Sequence, residues 1–147
     1  MTLGGPLRQV ARAATVVPRL ARAAMRAGVG PAGTVTVLRI SEAAARKATT
    51  HGRGQPGRMN AMRHFIWQAL ITAHFGRAVA VQIGHAQEVG TPNLRDSEVD
   101  QHNNLVGQEY GAANGAELTA GSIADASALL VPVALAKWNS GELIWLD

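Results

Sequence analysis

The chain has 147 residues, a formal charge of +4 and no cysteine, with few aromatic residues and abundant alanine and glycine. One domain with one core fits that length, and the missing cysteines exclude disulfides, thiolate metal sites and a cysteine nucleophile. The longest apolar stretch, Ile123 to Ala136, is too short, and is broken by Pro132, to span a bilayer.

In chain order, residues 1–33 are Ala/Arg/Gly/Pro-rich with little side-chain bulk and read as a basic connector. Arg8, Arg12, Arg19, Arg22 and Arg26 fall at near-helical spacing there, so a basic amphipathic helix suited to a membrane surface is one form it can take. Arginines interrupt every apolar run near the N-terminus, which excludes a secretory signal. Export would therefore use a specialised route or fusion to a larger carrier polypeptide.

Residues 34–147 read as a compact, mostly α domain with room for one short strand or hairpin. Thr34 to Ile40 alternates enough for a short strand or a helix start, and Ser41 is placed to N-cap a helix over Glu42 to Ala48. His51 to Arg58 is a Gly/Arg loop whose free N–H groups suit an anion. Helices follow over about Asn60 to Phe75, Arg77 to Val89 and Asp96 to Gly111, punctuated by Gly76 and by Gly90 with Pro92. A last helix, Ile123 to Trp138, is kinked or split at Pro132. The tail Glu142 to Leu146 is apolar enough to pack back as a short strand or turn.

Charge is unevenly laid out. Up to Arg63 the basic residues face Glu42 alone, and beyond it acids dominate. A basic front half suits an anionic substrate, a membrane surface or the chain's own acidic half.

Each helical residue turns the direction by about 100°. By that rule Asn60, Arg63, His64 and His74 share the face of Trp67 and Leu70, while Gln68 and Thr72 point the other way. His85 shares a stripe with Ala78, Val81 and Glu88 on the second helix. On the third, Asp96, Asp100, Asn103 and Asn104 form a stripe continued by Gly107 and Gly111, where a helix or ligand can come close. Three helices thus direct titratable groups inward, where charge is costly unless paired. Two chemistries suit the set. His64, His85, Asp96 and Asp100 are of the kind that holds a divalent ion such as zinc or manganese, although no local metal signature is present. Without a metal, His64 or His85, held by Glu88 or Asp100, serves as general base and Arg63 holds a phosphate or developing charge. Asn60, Asn103 and Asn104 are placed to bind substrate or cap the carboxylates.

The run Asn60-Ala61-Met62-Arg63-His64-Phe65-Ile66-Trp67, then His85-Ala86-Gln87-Glu88, then Asp96 to Asp100 and His102-Asn103-Asn104-Leu105-Val106-Gly107 resembles the C-terminal toxin domain of bacterial polymorphic toxins, including Rhs-type and wall-associated carriers. The family theme is N-x-x-R-H-x-x-W, a histidine–glutamate element, then D-x-x-x-D-x-x-N-N-x-x-G. Here the second element is spread as His85-x-x-Glu88 instead of a tight pair. The resemblance implies an antibacterial effector, secreted or delivered into a target cell, with a cognate immunity protein in the producer. The expected activity is hydrolysis of a phosphate-bearing target, nucleic acid or lipid-linked phosphate. The rival expectation is a non-enzymatic membrane-active or interaction module that uses the basic N-terminal helix.

Overall fold

The computed structural model describes residues 18–88 and 94–145; the side chains of Pro56, Glu88 and 94–96 also lie outside what it describes. Residues 18–26 form α1. They are followed by α2 (Gly30–His51), α3 (Pro56–Phe75), α4 (Arg77–Glu88), α5 (Leu94–Ala113), α6 (Gly115–Thr119) and α7 (Ile123–Asn139). The mostly helical class holds, and no strand occurs among the described residues.

The connector assignment changes over its described part. Leu20 and Ala24 of α1 are buried in the main core. Small side chains there allow close helix contact instead of marking a linker. The portion carrying Arg8 and Arg12 lies outside the described residues. Gly28 and Gly30, both at positive φ, turn the chain from α1 into α2, and a proline in the first turn presets helical φ there.

Of the two forms open to Thr34 to Ile40, strand or helix start, the chain takes the helical one, in the first half of α2. Gly33, Val37, Ile40, Ala44 and Ala48 are its buried residues, and their three-to-four spacing runs unbroken past Ser41, which sits mid-helix and caps nothing. The threonines in this stretch fold their hydroxyls back: Thr34 Oγ1 donates to Gly30 O at 2.8 Å and Thr36 Oγ1 to Ala32 O at 3.2 Å. The loop before α3 is shorter than expected, because α3 starts at Pro56.

α3 is the axis of the fold and contacts α2, α4, α5, α6 and α7. Residues 61, 62 and 64–72 are all buried. A helix covered on all sides has no water-facing stripe, which is why Gln68 and Thr72, expected outside, are buried. Phe65, Met62, Ile66, Leu70 and Ile71 pack in one cluster with Val37, Ile40, Ile83, Leu118 and Leu130. Each such side chain contributes about 1.5–3 kcal/mol by leaving water.

After the turn at Gly76 (φ 91°), α4 buries Ala80, Ile83 and Gly84. This corrects the predicted inward stripe, because Ala78, Val81 and His85 are exposed. α7 starts at Ser122, whose side chain accepts from Asp125 N–H. It continues unbroken through Pro132, so the expected split does not occur. Pro132 and Ala128, four residues earlier, are both exposed, so the carbonyl that the ring deprives of a donor can meet water.

The tail packs back as a turn, not a strand. Leu143 N–H bonds Lys137 O at 3.1 Å and Leu143 is buried. Trp145 lies on Gly57 so closely that a Cβ there would sit 2.1 Å from its Cγ.

A polar seam between two parallel helices

α3 and α5 run parallel, and their close approach has a visible cause. A Cβ on Gly107 would come within 2.6 Å of Phe65 O, and one on Gly111 within 2.3 Å of Ala69 O. Only glycine lets the α5 backbone rest on the α3 backbone at those points.

Along this seam each helix offers a polar residue at every fourth position. Asn60, His64 and Gln68 meet Asp100, Asn104 and Gln108 in order. Asn60 Nδ2 donates to Asp100 Oδ1 at 2.9 Å. His64 Nδ1 is 2.8 Å from Asn104 Oδ1. Gln108 Nε2 donates to Gln68 Oε1 at 2.7 Å. Spacing by four keeps one face in register over two turns, and a constant offset is what parallel helices require. The rungs also oppose slippage, since moving one helix by a turn would leave buried polar groups unpaired.

The rungs differ in access. Gln68 and Gln108 are 0% and 6% exposed, His64 and Asn104 9% and 4%, while Asn60 and Asp100 are half-buried. The inner end is roofed by α4, where a Cβ on Gly84 would lie 3.2 Å from Asn104 Nδ2 and 3.3 Å from Gln68 Nε2. At the outer end the exposed Arg63 donates from Nη2 to Asn60 Oδ1 at 3.1 Å. One connected network thus runs from Arg63 at the rim through Asn60 and Asp100 to His64 and Asn104.

His64 is its chemical centre. The Asn104 amide oxygen can only accept, so Nδ1 carries the proton and Nε2 keeps the lone pair in the neutral ring. Nε2 lies 3.4 Å from Asp100 Oδ1. Burial pushes the imidazole below the ordinary histidine value; Asp100 opposes this, Arg63 adds to it, and the Asn104 hydrogen bond opposes it. Trp67 stands edge-on to the ring, with centroids 6.0 Å apart. Its Nε1 is buried without a hydrogen-bond acceptor among the described residues.

The predicted site residues therefore divide. Asn60, Arg63, His64, Asp100 and Asn104 come together. His85 does not: it is exposed on α4, which leaves α3 and α5, not three helices, as the contributors. The side chains of Glu88 and Asp96 lie outside the described residues. Among the described residues no three His, Asp or Glu side chains are grouped to hold a metal ion; of the candidate ligands, His64 and Asp100 meet and His85 stands apart. His74 is half-buried, with its pKa lowered by burial, and sits beside Phe75.

Asn103 turns to the tail instead of the seam. Its Nδ2 donates to Ile144 O and its Oδ1 accepts from Ile144 N–H, both at 3.0 Å. His102 Nε2 lies 2.7 Å from Glu142 O. The Gln68–Gln108 rung escaped the sequence reading, although its signal was present: a polar residue at every fourth place in both helices.

One family, described as "Domain of unknown function (DUF6973)", matches residues 29–129, a span that contains the whole seam. No curated protein matches the chain, and no solved structure does.

Proposed function

The chain belongs to the DUF6973 family; from the geometry of the seam we propose that it is a hydrolase acting on a phosphate-bearing target, with His64 as general base. The observation that carries this reading is the Asn104–His64–Asp100 arrangement at the outer half of the seam. Asn104 orients the ring through Nδ1, which directs the Nε2 lone pair toward Asp100. At 3.4 Å this contact is longer than a good charge-assisted hydrogen bond. Two acceptors so placed converge on the proton of one water or hydroxyl. When Nε2 takes that proton, the imidazolium faces the Asp100 carboxylate and is stabilised by it. The lowered pKa of His64 keeps the ring neutral, and so able to accept a proton, at neutral pH.

Arg63 supplies the complementary group. It is exposed at the rim, tied to Asn60, and its planar guanidinium matches two phosphate oxygens. A phosphodiester of nucleic acid or a lipid-linked phosphate fits this pair of roles. Of the residues that carried the polymorphic-toxin resemblance, Asn60, Arg63, His64, Asp100 and Asn104 lie in the network. On that likeness the proposal extends to an effector domain delivered on a longer carrier and countered by an immunity protein.

The test uses the purified full chain on a nitrophenyl phosphodiester, single- and double-stranded nucleic acid, and phospholipid vesicles. Replacing His64 by Gln is expected to lower the rate about 10²- to 10⁴-fold, the usual contribution of a general base, with far-UV circular dichroism unchanged. Growth arrest on expression inside a bacterial host should disappear with the same substitution. Wild-type protein inert on all these phosphodiesters, or a folded His64→Gln variant as active as wild type, would overturn the reading.

A further inference from the structure

A second polar feature lies away from the seam, between α1 and α4. Arg19, Arg22 and Arg26 are spaced three and four residues apart, so they line one stripe of α1. Ala23 and Ala27 lie on the same stripe and form a low floor, and Gln82 on α4 stands opposite. Together they border a groove of about 260 Å³ with no acidic residue among those described as lining it. Arg22, Arg26 and Gln82 are exposed, and Arg19 also has an interaction within the chain.

Like charges at these spacings weaken a helix. Arg26, in the last turn of α1, gains from the helix dipole, but Arg22 in the middle gains nothing from it. Arg22 and Arg26 both border the groove, and two like charges one turn apart repel unless an anion joins them. Their flat forks suit the oxygens of a phosphate, and the Gln82 amide adds a neutral donor on the facing wall.

We propose that the α1–α4 groove is a phosphate-binding site, taking a phosphomonoester or pyrophosphate group from either a free phosphate compound or a lipid headgroup. This site is independent of the hydrolytic reading of the His64 seam, and it assigns a ligand to the basic stripe that the seam chemistry does not use.

Calorimetric titration of the full chain with pyrophosphate tests it. Saturable 1:1 binding is expected, weakened at least about tenfold in Arg22→Gln/Arg26→Gln, as for loss of one charge-assisted hydrogen bond. Gln82→Glu, which places a carboxylate on the opposite wall, should weaken binding with the arginines intact. The exposed arginines Arg39 and Arg46 serve as controls, and Arg39→Gln/Arg46→Gln should bind as wild type. Phosphatidylcholine vesicles with and without a phosphomonoester lipid identify the source. Recruitment that depends on that lipid and on Arg22 and Arg26 assigns a headgroup; pyrophosphate binding without recruitment assigns a soluble phosphate. Absence of saturable binding to both probes, or equal loss in the Arg39/Arg46 pair, would overturn the proposal.

Discussion

Replacing Gly111 by Ala puts one methyl group between two helix backbones. Its Cβ would stand 2.3 Å from Ala69 O and 3.0 Å from both Ala69 C and Cα. Ordinary carbon–oxygen contacts begin at about 3.3 Å, so α5 must withdraw by roughly 1 Å. The obstruction is backbone, so no rotamer change relieves it. Overpacking of this kind costs about 1–3 kcal/mol. The higher helix propensity of Ala returns at most about 1 kcal/mol, and less in the last turn of α5. The net expectation is a loss of about 1–2 kcal/mol. Urea unfolding followed by circular dichroism measures it. With a slope of about 2 kcal/mol/M, the midpoint should fall by roughly 0.5–1 M at unchanged slope. Gly115→Ala is the control: its Cβ meets nothing within 4 Å, and removing glycine freedom from the unfolded chain should leave stability equal or raised by about 0.4–1 kcal/mol. A Gly111→Ala variant as stable as wild type would refute the claim that α5 rests on the α3 backbone.

The pH dependence follows from His64, whose pKa is depressed chiefly by burial. Below about 6.5 the unfolded chain takes up a proton that the folded chain refuses, so stability falls as pH drops from 7 toward 5 and is insensitive to this group above 7. Denaturation midpoints across that range should show the slope, and His64→Gln should flatten it in part, since His74 shares the sign; an NMR titration of His64 at or above 6.5 would contradict the assignment. Asp100→Asn should depress His64 further, because the carboxylate is what raises it. Asn103→Ala removes both hydrogen bonds to Ile144, at a cost of about 1–2 kcal/mol. It should accelerate hydrogen exchange at the Ile144 amide, with Asn103→Asp, which keeps only the acceptor, falling between; undiminished protection in the Ala variant would rule out the clasp.

What was legible in the sequence follows from what local rules can see. Gly76 ended α3 as a positive-φ residue must, and Gly107 and Gly111 announced a close approach that the backbone contacts bear out. His64, Asp100 and Asn104 were chosen for inward faces and do meet. The misses share another cause. A two-faced helix puts Gln68 and Thr72 outside, and nothing local says that a helix is enclosed on every side. The apolar neighbours of His85 point it inward, but on this 12-residue helix the buried face is set by Ala80, Ile83 and Gly84. The alternation over Thr34 to Ile40 left strand and helix start open, and the tertiary packing of α2 decides for the helix. Leu20 and Ala24 looked like linker because small residues score low in bulk, the very property that lets α1 lie close.

The tail contact bears on when the domain can be completed. Gly57 lies one turn before Asn60, and Asn103 one turn after Asp100, so residues 144 and 145 fasten both helices beside the half-buried rung. A ribosome delivers those residues after every helix of the domain has been made. Such distant pairings form late, because the loop they close must be ordered first. Nascent protein halted before Leu143 would therefore carry all of α3 and α5 yet lack the fastening beside Asn60 and Asp100, which ties maturation of the seam to synthesis of residues well beyond both helices.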